Sequence, residues 1–271
     1  MAQPRHSGPA SLRPLAAAAL LAVLVTTVGL VARPAPARAG TAETMEAQIL
    51  SLINDARVKK GLVPLRLYPV LVDLAGDRAA HMASTGVMAH PSCLKCVFTS
   101  YGVPFFSVGE SIAWTSWPWG SQAATSVVTA WKNSPIHWTM LMSKTFNYIG
   151  IGVAYRSSEH KTFASADLSE SPDVTRPWSK MTGGSHGGTT ASWSWTGADT
   201  TLQTHTAGLK NFDVQYRVDG GAWSTIRTAT TARSLSLGNR AHGHAYWLRV
   251  RARDNKGNVA AWSAGLRVWV P

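Results

Sequence analysis

The chain has 271 residues, 45% of them apolar and 15% charged, with a formal charge of +12 at pH 7. That much apolar material fills one or two cores and excludes an intrinsically disordered chain. The positive charge admits polyanionic partners without fixing a fold.

Residues 1–39 read as a targeting segment. Arg5 and Arg13 precede the uncharged run LAAAALLAVLVTTVGLVA, and Ala37-Arg38-Ala39 has the small-x-small pattern of a signal-peptidase site. The apolar run has the length of a membrane anchor. The Pro-rich tail and the cleavage pattern favour removal, secretion and a mature start at Gly40, so membrane association is expected only if the segment stays uncleaved. Removal takes four arginines and no acid, which leaves +8. Residues 40–171 then hold 10 basic and 9 acidic side chains, and residues 172–271 hold 12 and 5. The basic second part suits an acidic wall polymer or, less well for a secreted chain, nucleic acid; a merely soluble basic surface is the simpler reading.

Apolar residues at Met45, Ile49, Leu52, Ile53 and Ala56 predict an amphipathic helix that ends near Gly61. Pro69 opens a second helix, whose inner face is Leu71, Leu74, Ala75, Arg78, Ala79 and Met82. His81 falls at the border of that face, where a structural role is expected. Cys93 and Cys96 stand in SCLKC between flanks that read as loop. Outside the cytosol the expected state is a Cys93–Cys96 disulfide. A redox pair would need a helix N-terminus, and a zinc site would need further ligands such as His81 and His90.

In VGESIAW, Glu110 sits between a glycine and an apolar run, as a carboxylate at a turn with a short strand beginning after it. Trp114, Trp117 and Trp119 follow closely; they could receive a sugar ring or lipid chain, but filling gaps of a small core is the favoured role. A third helix is expected from about Gln122, a fourth from Ser134-Pro135, and strands at YIGIGVAY and KTFASADL. After about Ser171 the period changes to two. Tyr246, Leu248, Val250 and Ala252 should face inward, with Trp247, Arg249, Arg251 and Arg253 outward, as in a β-sandwich. The Gly-rich TGGSHGGTT reads as a linker or an early loop.

The ordered stretches LINDARVKKGLVPL, AAHMASTGVMAH, GESIAW, AWKNSPIHWTML and YIGIGVAY resemble bacterial CAP-superfamily domains, relatives of cysteine-rich secretory proteins, insect venom antigen 5 and plant pathogenesis-related proteins. YWLRVRARDNKGN followed by WS resembles a fibronectin type III or similar immunoglobulin-like module, with Tyr246 in the place of its corner tyrosine. The resemblance implies an α+β fold: a CAP-type α-β-α sandwich over 40–171, then an all-β immunoglobulin-like sandwich over 172–271 that folds on its own. It also implies that His90, Glu110 and His137 line a cleft for ligand and, in some members, for a divalent metal such as zinc. Lys132, Asn133 and Ser134 stand where eukaryotic members often carry a second glutamate.

Three functions follow. The leading one is a secreted binding protein that takes a small apolar or cell-wall-derived ligand, the β-module spacing or attaching it. A metal-assisted hydrolase acting on peptide or wall material comes second, weakened because the sequence has no H-E-x-x-H motif. An adhesive surface protein comes third.

Overall fold

The computed structural model describes residues 40–271, so the expected targeting segment at 1–39 lies outside the described residues. In α1 (Gly40–Lys59), Met45, Ile49 and Ile53 are fully buried. Leu52 is not on that face and is exposed; the next turn of the buried stripe is Arg57. Its guanidinium donates to the carbonyls of Val63, Leu141 and Ser143 at 2.7–3.0 Å, and burial lowers its pKa to about 10.

After β1 (Arg66–Leu67), α2 (Pro69–Thr85) begins at its proline as the sequence predicts. Then follow α3 (Leu94–Ser100), β2 (Ser107–Thr115), α4 (Ser121–Lys132), α5 (Pro135–Leu141), β3 (Tyr148–Arg156) and β4 (Lys161–Glu170). The sheet order is β1-β3-β4-β2, which leaves β2 at an edge. One face packs on α1 and α4 through Ile149, Ile151, Ala164, Ala166 and Leu168. The other face meets α2. The alternating glycines of YIGIGVAY permit that approach: a Cβ at Gly150 would lie 1.9 Å from the Leu71 carbonyl oxygen, and one at Gly152 2.2 Å from Ala75 backbone. The result is helix, sheet, helix.

Residues from 178 onward form two antiparallel sheets. One is β11-β10-β7-β8, built from β7 (Leu209–Val218), β8 (Ser224–Thr230), β10 (His244–Asp254) and β11 (Leu266–Val270). The other is β5-β6-β9, from β5 (Trp178–Gly187), β6 (Thr190–Ala198) and β9 (Ser234–Leu237). Trp193, Trp195, Phe212, Val214, Leu248 and Val250 fill the space between them. The inward and outward residues of β10 fall as the period-two reading expects. Tyr246 is buried and its hydroxyl donates to the Ala241 carbonyl at 2.9 Å. TGGSHGGTT is neither linker nor early loop: it is the end of β5, the turn and the start of β6.

The two parts meet over residues 171–175 and the loop 199–208. Leu202 is 4% exposed and packs with Leu71, Leu74, Phe98, Val103 and Tyr148 of the first part. Gln203 Oε1 accepts from the Val63 amide at 2.9 Å and from Arg57 Nη2 at 3.3 Å. Asn147 Nδ2 donates to the carbonyls of Ser171 and Thr204, and Tyr148 donates to Asp173.

Candidate functional site

The end of α2 sets the site up. Gly86 caps the helix at φ 76°, its N–H returning to the Met82 carbonyl. A Cβ there would lie 2.8 Å from Glu159 Oε1, so both backbone and space call for glycine. The chain then turns through 87–89 to His90.

Glu110 lies inside β2, not at its mouth, directly across from Asp167 of β4. Its neighbours Gly109 and Ser111 face Met140 of α5, so alternation sends Glu110 to the opposite, α2 side. There it is 2% exposed. Arg78 Nε donates to Oε1 at 2.7 Å, and His90 Nδ1 stands 2.6 Å from Oε2. Arg78 Nη2 also donates to the Ala89 carbonyl at 2.8 Å. One guanidinium therefore ties α2 to the carboxylate and to the residue before His90.

The His90 imidazole is half-exposed, and His137 of α5 lies beside it with ring centroids 6.3 Å apart. Burial, and then the nearness of His90, hold the His137 imidazole below its ordinary pKa. The structure thus brings His90, Glu110 and His137 to one place. Glu110 has both oxygens engaged and acts from behind His90, which keeps Nε2 of that ring for a ligand.

Two members of the site were not assigned from the sequence. Arg78 was visible as a charged residue on an apolar helical face. Asp167 was visible only as an acid inside the strand FASADLSE. It is fully buried; Ser165 Oγ donates to Oδ2 at 2.7 Å, and Oδ1 has no partner among the described residues. Burial, and secondly the charge of Glu110, push its pKa up to about 8. The raised pKa favours the protonated form of Asp167, which adds hydrogen-bonding capacity to the site instead of a second charge.

Other expectations resolve differently. Cys93 and Cys96 form the expected disulfide, but with Cys93 at the N-cap of α3 the stretch after it is a short helix and not loop. No described cysteine is free, so neither sulfur is available to zinc, while the helix N-terminus that a redox pair needs is present at Cys93. His81 is exposed, not at the border of the core. Trp114 and Trp117 are exposed as well, Trp114 under the Lys161 ammonium at 4.8 Å; only Trp119 packs against the first core.

A convergent donor group among the described residues lies at the junction, where carboxylate oxygens of Asp173, Asp199 and Asp254 come within 4.8 Å of one another. Backbone amides of Thr175, Ala207, Gly208 and Asn258 already donate to them.

Residues 50–168 match the model of the CAP, cysteine-rich secretory protein family. The Bacillus subtilis protein YkwD is 29% identical over 111 residues, 40% of this chain and 41% of that protein. The chain therefore spans less than half the length of that curated relative. Among solved structures, an extracellular protein containing a SCP domain from Bacillus anthracis is similar at 21% identity, covering 47% of this chain and 41% of that one, with a TM-score of 0.41. A Fn3-like protein from Clostridium thermocellum is similar at 22% identity over 36% of this chain and 96% of that one, with a TM-score of 0.28.

Proposed function

We propose, from the premise that residues 50–168 form a CAP domain, that the chain is a secreted extracellular binding protein. Its ligand is small and apolar or wall-derived, and it is held at His90 and His137. The observation that carries this is the buried Glu110, which fixes a half-exposed His90 through Nδ1 at 2.6 Å. A carboxylate sequestered to orient one accessible imidazole is a poor investment for stability alone. Exposed Val87 and Met88 precede His90, and exposed Ile136 precedes His137, so both imidazoles are flanked by apolar side chains. The targeting segment and the Cys93–Cys96 disulfide support an oxidising, extracellular setting. Among the described residues no helix is long and apolar enough to cross a membrane.

The site offers a divalent metal such as zinc two imidazoles, one fewer than the three protein ligands of a catalytic zinc site, because both Glu110 oxygens are engaged. His90 and His137 would hold it, with Glu110 supporting His90 from behind, and the metal would supply a Lewis acid with open positions. This is the arrangement on which the hydrolase reading depends. The second part, 172–271, we read as a fibronectin type III-like module, supported by its two sheets and the Tyr246 hydroxyl bonded to Ala241.

The test is Glu110→Gln. Removing the carboxylate charge should change the tautomer and ring orientation of His90, followed by the NMR signals of its imidazole nitrogens, and weaken zinc binding followed by calorimetry. Unchanged imidazole signals of His90 and unchanged zinc affinity would reduce Glu110 to a structural carboxylate. Native mass spectrometry of the purified chain would reveal a carried ligand directly.

A further inference from the structure

The outward face of the β11-β10-β7-β8 sheet carries more cations than its own acids neutralise. Trp247, Arg249, Arg251 and Arg253 alternate along β10, and residues two apart on a strand stand about 6.6–6.8 Å apart on one side. In register with Trp247 lie Arg217 on β7 and Arg267 on β11. The guanidiniums lie over indoles. Arg217 stands 4.6 Å from the Trp223 ring and 5.0 Å from Trp247; Arg249 stands 4.3 Å from Trp223 and 5.1 Å from Trp262.

One carboxylate on this face, Asp213, is held by Arg251 at 2.9 Å and Arg253 at 3.4 Å. Asp219, at the end of β7, is bonded to His244 and feels Arg267 only at longer range. Arg249 donates only to the neutral Gln215. Arg217 has no acceptor among the described residues, and its Nε is buried without one. Arg217 and Arg249 share the Trp223 ring, so two like charges sit together with no anion between them. Burial and the Arg217 charge both lower the Arg249 pKa.

The stacking also says which anion fits. A guanidinium takes up one of an indole's two faces, so these tryptophans offer a nucleobase or a sugar ring at most the other. The donors that burial and Gln215 leave free are at the Nη end of Arg217 and Arg249, and these suit phosphate oxygens. We propose that this face binds an extended phosphodiester polymer without bases, its phosphates bridging Arg217 and Arg249 and continuing along β10.

The experiment titrates the full chain with poly(glycerol phosphate), and in parallel with single-stranded DNA, between about 50 and 200 mM salt. The polymer should bind more tightly than the DNA. The double variant Arg217→Gln/Arg249→Gln should lose at least about tenfold in affinity and about two units of the log–log salt slope. Arg217→Lys/Arg249→Lys should keep the slope and recover only part of the affinity, which covers the case in which the first variant fails to fold. Lys180→Gln, on β5 of the other sheet, should change neither. No binding by the unmodified chain, an equal loss in Lys180→Gln, or full affinity in the double Gln variant would overturn the assignment. Equally tight DNA binding would overturn the exclusion of bases.

Discussion

The first and second parts of this molecule treat arginine in opposite ways. Arg57 and Arg78 are enclosed, and their N–H groups are directed at carbonyls, a glutamine and one buried carboxylate. On the β11-β10-β7-β8 sheet, Arg217 and Arg249 lie half-buried over tryptophans and donate to no anion. A buried charge must be fully met or it costs several kcal/mol. A guanidinium on an indole keeps one edge in water, gains about 0.5–1 kcal/mol from the ring at an exposed site, and stays available to a ligand. The contrast separates arginines that build structure from arginines that wait for something.

The sharpest way to break the contrast is Arg78→Met. Glu110 would remain buried without its cation, and Ala89 would lose its donor, so the chain should lose about 3–5 kcal/mol in urea unfolding. A loss under about 1 kcal/mol would mean that water replaces the guanidinium and that the network is not closed. Next in size is Leu202→Ala, which asks where one part ends. Removing a fully enclosed leucine should cost about 2–5 kcal/mol. The loss should fall on the first part, read as faster amide exchange in α2 and α3, although residue 202 follows β6. Exchange that speeds up only in the β-sheets would assign the loop to the second part alone.

A third effect is in pH dependence. The Asp167 pKa is raised in the folded chain to about 8 from an ordinary carboxyl value. Its stabilising contribution is therefore complete at acid pH and is lost as pH rises through about 8. Asp167→Asn should flatten that decline, so that variant and parent diverge between about pH 4 and pH 8 with the variant gaining at the alkaline end. Parallel stability curves would show that Asp167 ionises freely.

What could be read in the sequence follows the physics of each element. Long amphipathic helices and the strict alternation of β10 were legible because burial imposes their periods. The short helix α3 was read as loop because it presents a single buried residue, Phe98, and so has no period to detect. The strand β5 hid in glycine and serine, which carry no apolar pattern. Of the site, His90, Glu110 and His137 came from the CAP resemblance and not from spacing. Asp167 escaped because a cross-strand neighbour is 57 residues away in sequence from Glu110, and only the register of β2 on β4 brings them together.

The loop 199–208 also bears on how such a chain can exchange its parts. The change in composition near Ser171 looks like a seam at which one β-module could be replaced by another. Yet the material beyond that seam supplies Leu202 to a pocket formed by Leu71, Phe98 and Tyr148, and Gln203 to Arg57 and Val63. A substitute module with the same strands but an ordinary turn at this position would leave a leucine-sized hole and take the glutamine acceptor from Arg57 Nη2 and the Val63 amide. Recombination at residue 171 therefore yields a stable chimera only when those ten residues travel with the first part.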